Sequence, residues 1–272
     1  MIRLVLNADD LGLHPRIDEG IFRAREEGVL TSTTVLATGK TARFAVDRAK
    51  ALGLGVGVHL CLTTHLSPAA EAAQVRWLAP GGRFRKDWGE LSVAWLGGLI
   101  PRDEVTLEFE AQLRRVRAMG ADVDHLDTHQ HLHLLPGVSS IVEDLAAREG
   151  LPLRWPRERP QVRWLAHPAS AAKSGMLSML ARARPAREAR RVRAWGVFES
   201  GRLNVARLVR LLERLPDGEH EIVTHPGLAP GVVAEDPSWR YDWEAELEAL
   251  TSPAVVDVIQ RRQIELVRYR DL

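Results

Sequence analysis

Apolar runs about one strand long alternate along the chain with stretches whose apolar positions recur at helical spacing. Residues 4–8 predict a short strand ending at Asp9-Asp10. Residues 15–27 carry Ile17, Ile21, Phe22 and Ala24 on one helical face, with proline in the first turn and Gly28 at the stop. A β-branched run at 32–37 predicts a second strand, 41–52 a helix, and 54–62 a buried, glycine-bearing strand. Residues 101–119 form an amphipathic helix with Val105, Phe109, Leu113 and Val116 on one side. Strands are predicted at 123–127, 151–154 and 219–224, and helices at 138–148 and 203–215. The last segments, 244–250 and 253–268, read as helical, with room for a short strand at 264–267.

This alternation predicts an α/β fold, a mainly parallel sheet covered by helices, in one domain spanning 1–272. Two excursions, 63–98 and 157–199, lack clean periodicity. Irregular stretches that long inside a compact domain form lids or substrate walls.

Composition narrows the class. At 272 residues, 45% hydrophobic and 27% charged, the chain is neither disordered nor a stapled miniprotein. The single Cys61 excludes an internal disulfide or a cysteine-rich zinc module and reads as packing. A formal charge of +1 gives no global field toward nucleic acid or membranes. Residues 182–193 hold six arginines and one glutamate, which read as a solvated helix face rather than a nucleic-acid footprint. The first residues cannot form a signal-peptide core, and no run approaches ~20 apolar residues. A cytoplasmic protein with no membrane or nucleic-acid partner is expected.

Acids and histidines gather at the predicted carboxyl ends of strands, where sites form in β/α barrels and open α/β sheets. Asp9 and Asp10 end the first strand, His59 lies in the third, Asp127, His129, His131 and His133 follow the fourth, and His225 follows a later one. Four of the nine residues from His125 to His133 are histidine, out of ten in the chain. A purely structural role would leave several imidazoles competing for buried partners, so metal or acid–base chemistry is expected. Imidazole with carboxylate suits zinc, manganese, iron or cobalt, and magnesium less naturally. Two adjacent carboxylates can divide labour, one binding a cation while the other accepts a proton. Two ligand sets stay open: His129 and His133 on one helical face at i, i+4, or one of them joined by His59 and Asp10 from other strands.

At these residues the sequence resembles the YdjC-like (ChbG-type) carbohydrate deacetylase family. The resemblance rests on Asn7-Ala-Asp-Asp-Leu-Gly-Leu, Gly28-Val-Leu-Thr-Ser-Thr-Thr, Gly57-Val-His-Leu-Cys-Leu-Thr, the run from His125 through Pro136, Phe198-Glu-Ser-Gly-Arg-Leu and His225-Pro-Gly, in the family's order. Leu11 and Cys61 stand where the family often has Phe and Asn. The resemblance implies a TIM-barrel-like fold and removal of an N-acetyl group from an amino sugar or chitooligosaccharide, with one divalent ion, usually magnesium. Carried over by position, it implies Asp10, His59 and His129 as metal ligands, Asp9 as general base and His225 as general acid. Asp127, His131 and His133 would then stand behind the ligands or face the substrate. A homodimer is also implied. The rival readings are another metal-dependent hydrolase on this scaffold, cutting a non-sugar amide or a phosphoester, and a non-catalytic sugar- or RNA-binding protein.

Overall fold

The computed structural model describes residues 1–156, 179, 191–228 and 241–272. Seven parallel strands close into a ring in chain order: β1 (Ile2–Leu11), β2 (Ser32–Val35), β3 (Gly55–Leu60), β4 (Val123–Thr128), β5 (Leu153–Pro156), β6 (Arg191–Trp195) and β7 (Gly218–Thr224). β1 closes the ring: its Ile2 to Ala8 pair with Gly218 to Thr224, and its Asn7 and Ala8 with Ser32 and Thr33. A short β8 (Ile264–Leu266) adds to the foot of β1. Outside the ring lie α1 (Pro15–Glu26), α2 (Ala42–Ala51), α3 (Trp88–Leu96), α4 (Arg102–Ala118), α5 (Val138–Glu149), α6 (Val205–Arg214), α7 (Trp243–Thr251) and α8 (Pro253–Arg261). This is the α/β, TIM-barrel-like architecture the motifs implied. Among the described residues no helix is long and apolar enough to cross a membrane.

Period-two patterning explains which side of each strand does what. In β3, Val56, Val58 and Leu60 join Val105, Phe109 and Leu113 of α4 in the main apolar cluster. Burying each such leucine or phenylalanine contributes about 1.5–3 kcal/mol. The alternate residues Gly55, Gly57 and His59 face the lumen. Gly57 has a steric reason: a Cβ there would lie 2.4 Å from the His125 ring across the barrel wall. A separate small cluster of Val5, Val192, Val267 and Tyr269 fills the foot of the lumen, and the lumen above it is polar.

Three elements differ from expectation. β1 continues past Asp9-Asp10 to Leu11. The stretch 63–98 contains α3, started by Asp87, whose Oδ1 accepts from the Glu90 N–H at 3.0 Å. β6 falls in the stretch 157–199, and its Arg191 and Arg193 sit on a strand rather than a helix face, with Val192 and Ala194 buried and Arg193 exposed between them. Residues 182–190 of the arginine-rich segment lie outside the described residues.

α4 moors the 63–98 excursion against the barrel. The buried Glu108 carboxylate accepts the Ala69 and Ala70 N–H groups, both at 2.9 Å, and Glu104 accepts those of Trp77 and Leu78 at 2.9 and 2.8 Å. The excursion thereby becomes one wall of the mouth.

Candidate active site

A bulge in β1 begins the site. Successive side chains of a regular strand point to opposite faces, so Asp9 and Asp10 could not both enter one mouth. The β1–β2 register slips between Ala8 and Leu11, and Asp10 takes φ 69°. That left-handed residue turns the second carboxylate to the same side as the first. Both then reach His59: its Nε2 is 3.4 Å from Asp10 Oδ1 and 4.0 Å from Asp9 Oδ2.

His129 completes a triangle of donors. Its Nδ1 lies 3.0 Å from Asp10 Oδ1 and 3.2 Å from His59 Nε2. The three atoms come from β1, β3 and the turn after β4, all buried. The edges of 3.0, 3.2 and 3.4 Å suit one ion at roughly 2.0–2.2 Å from each atom. Behind it, His59 Nδ1 is 2.7 Å from Asp127 Oδ1, the carboxylate–imidazole arrangement that fixes a metal-binding ring. Burial alone would pull the His59 imidazole down, yet Asp127, Asp9 and Asp10 outweigh it and push it up to about 9. The same carboxylates favour a cation at this spot, which binds in competition with the proton on the ring. Burial raises Asp10, but the His129 imidazole beside it holds its carboxyl below the usual range. The Asp/His cluster can therefore bind a metal ion. A second set, Asp9, His59 and Asp127, also has its donor atoms within 4.8 Å of one another, but Arg154 already occupies its carboxylates.

Arg154, on β5 and fully buried, organises the lumen. Its Nη1 and Nη2 donate to Asp9 Oδ2 and Oδ1 at 2.7 and 2.6 Å, its Nη1 is 2.6 Å from Asp127 Oδ2, and its Nε donates to Glu221 Oε1 at 2.8 Å. Such a fork holds a carboxylate in plane as well as in place. Burial would raise Asp9, but Arg154, then His59 and His225, hold it far below the ordinary carboxylate range. Asn7 Nδ2 and Thr34 Oγ1 donate to its Oδ1 at 3.0 and 3.3 Å.

His225, at the end of β7, faces Asp9 from the other side, with Nε2 3.8 Å from Asp9 Oδ2. Its backbone N–H donates to Glu246 Oε2 at 2.6 Å, and the same oxygen is 3.8 Å from Nδ1. Burial disfavours the imidazolium, but Glu246, Asp9 and Asp10 prevail and raise it. The Tyr241 ring packs edge-on against it at 4.9 Å. Asp9, Asp10, His59, His129 and His225 open into one cavity of about 660 Å³, whose far wall comes from the 63–98 excursion and includes His65, Arg83 and Lys86. That volume fits a small ligand.

Asp9, Asp10, His59, His129 and His225 thus meet at one mouth, with Asp127 behind the His59 ring. His131 also lines the cavity. His133 does not: it is fully buried, its Nδ1 is 2.7 Å from Thr128 Oγ1, and its ring lies 5.6 Å from Trp155. The i, i+4 helical pairing of His129 with His133 is corrected, because Gln130 and His131 take φ 55° and 57° and break the helix between them. Sequence reading missed Arg154, Glu221, Glu246 and Tyr241. The one available signal was alternation, which puts Glu221, Val223 and His225 on one face of β7.

Over its full length the chain is 32% identical to a carbohydrate deacetylase of Brevibacillus brevis, covering all of that protein. It is also 32% identical to a carbohydrate deacetylase of Mus musculus, covering 95% of it, and over 99% of its own length 28% identical to a chitooligosaccharide deacetylase of Serratia marcescens, covering 98%. A crystal structure from Enterococcus faecalis, described as a candidate cellobiose-phosphate cleavage protein, superposes with a TM-score of 0.79 at 25% identity over 99% of this chain and 98% of that one. The model of the YdjC-like protein family matches residues 3–261, and the chain belongs to that family.

Proposed function

We propose that this chain is a hydrolase that removes the N-acetyl group from an amino sugar or chitooligosaccharide, with Asp10, His59 and His129 holding a divalent cation. The observation that carries the reading is the position of Asp9, fixed by Arg154 on one side and facing His225 on the other, directly beside the donor triangle. Relatives along the whole chain named carbohydrate or chitooligosaccharide deacetylase support the substrate class.

When bound, the cation supplies Lewis acidity, polarising the acetyl carbonyl and lowering the pKa of water. Asp9 accepts the proton of the attacking water. Held far below the ordinary range, it is ionised at every working pH but weakly basic, so it needs a water of raised acidity. Arg154 and Asn7 keep its carboxylate from rotating away. His225, kept protonated by Glu246 and the two aspartates, donates to the leaving nitrogen, because an amine leaves poorly as an anion. Asp127 holds the His59 ring. The products are acetate and a free amine.

The test of His225 uses the leaving group. His225→Ala is expected to slow acetate release from N-acetylglucosamine oligomers by ~100-fold or more and to abolish the alkaline limb of the kcat profile. Activity needs the imidazolium, so in the intact chain it falls as pH rises through the raised His225 value. Hydrolysis of 4-nitrophenyl acetate, whose leaving group needs no proton, should fall far less. Equal losses on both substrates would remove His225 as the acid.

A further inference from the structure

The barrel's foot carries a second feature that the chemistry above does not use. The last turn of the chain tucks under the lumen and sends Tyr269 upward, 1% exposed. Its ring stacks on His125, with centroids 3.7 Å apart and planes at 8°, and Val5, Val192 and Val267 surround it. The turn is tied down outside: Val267 N–H donates to Leu4 C=O at 3.0 Å, and Arg270 Nη1 to Asp122 Oδ2 at 2.6 Å. The phenol O–H donates to Glu221 Oε2. Glu221 Oε1 in turn accepts Arg154 Nε at 2.8 Å, and the remaining guanidinium nitrogens grip Asp9.

We propose that Tyr269 is a positioning residue for Asp9, acting through Glu221 and Arg154. This rests on the reading of Asp9 as the base. A guanidinium is planar, so the direction of its Nε–H bond to Glu221 sets the plane in which its other nitrogens meet Asp9. Glu221 reaches that bond from β7 with one oxygen, and its second oxygen would be unpartnered in the buried lumen without the phenol. The ring alone would suffice to plug the foot and stack on His125; the hydroxyl is needed only for the carboxylate. The C-terminal turn thus reaches the reacting end of the barrel through three side chains.

The experiment compares Tyr269→Phe, Glu221→Gln, their double variant and Asp9→Asn for acetate release from N-acetylglucosamine oligomers, with metal content measured on each. Tyr269→Phe keeps the ring and removes one oxygen. It should lower kcat by about 10-fold, leaving KM and metal content unchanged, and add no further loss in the Glu221→Gln background, as expected for residues acting as one unit. A wild-type kcat in Tyr269→Phe while Asp9→Asn is inactive overturns this inference alone. A loss confined to KM or metal content, an additive double variant, or a Tyr269→Phe chain that does not fold also overturns it, by making the hydroxyl structural. Wild-type turnover in Asp9→Asn overturns the base assignment and this inference with it.

Discussion

An Asp9→Asn chain is expected to bind metal as the wild type does and to release acetate at least ~100-fold more slowly, the scale of a lost general base. The substitution keeps the shape of the side chain and removes its charge. Asp10, His59 and His129 lose no donor atom, so metal content should hold. An amide oxygen still accepts one bond from Arg154, but the amide nitrogen then faces a guanidinium donor and neither end accepts a proton from water. The outcome also separates the two compact donor sets, since Asp9 belongs with His59 and Asp127 in the second. Metal loss in Asp9→Asn with metal retained in Asp10→Ala would assign the ion to that second set and leave the base unidentified.

The second large effect is expected at Arg154. Arg154→Met removes the cation that Asp9, Asp127 and Glu221 share in a lumen where all four groups are buried. Breaking a buried ion pair from one side costs about 3–5 kcal/mol, because the partner charges remain. Urea unfolding at neutral pH should register that loss. The loss also depends on pH. Asp9 is held below its unfolded value, so its contribution to stability is fully present above the unfolded carboxylate pKa and fades as pH falls toward the lowered folded value. Without Arg154 only His59 and His225 oppose the effect of burial on Asp9, its carboxyl rises, and that contribution shrinks. Arg154→Lys should recover part of the stability and little of the turnover, since an ammonium restores charge but cannot hold Asp9, Asp127 and Glu221 in one plane. Full turnover in Arg154→Lys would show that charge alone is what Asp9 needs.

Much of this was legible in the residues. The apolar run before Asp9-Asp10, the glycine-bearing third strand and the dense histidines after the fourth placed Asp9, Asp10, His59, His129 and His225 at strand ends, and the barrel brings them to one mouth. What local reading could not supply was how two neighbours on one strand face the same way. That depends on the bulge and the left-handed Asp10, which no spacing announces. Arg154 escaped notice for a related reason. In Leu153-Arg-Trp-Pro it is an ordinary strand residue, and only closure of the ring sets it among carboxylates from β1, β4 and β7. The alternative pairing of His129 with His133 fails because i, i+4 spacing implies a shared face only where the backbone is helical. β6 was hidden by its arginines; the buried alternation of Val192 and Ala194 was the signal that survived.

In the proposed mechanism, Asp10, His59 and His129 seat one cation required for acetate release. That requirement is tested most directly by elemental analysis of the purified chain and of His59→Ala, each paired with acetate release from N-acetylglucosamine oligomers before chelation, after it, and after readdition of magnesium, zinc or manganese. The expected result is close to one divalent ion per wild-type chain, activity lost to chelator and restored by metal, and neither metal nor turnover in His59→Ala. A fully active chain after complete chelation, or full metal content with full activity in His59→Ala, would contradict it.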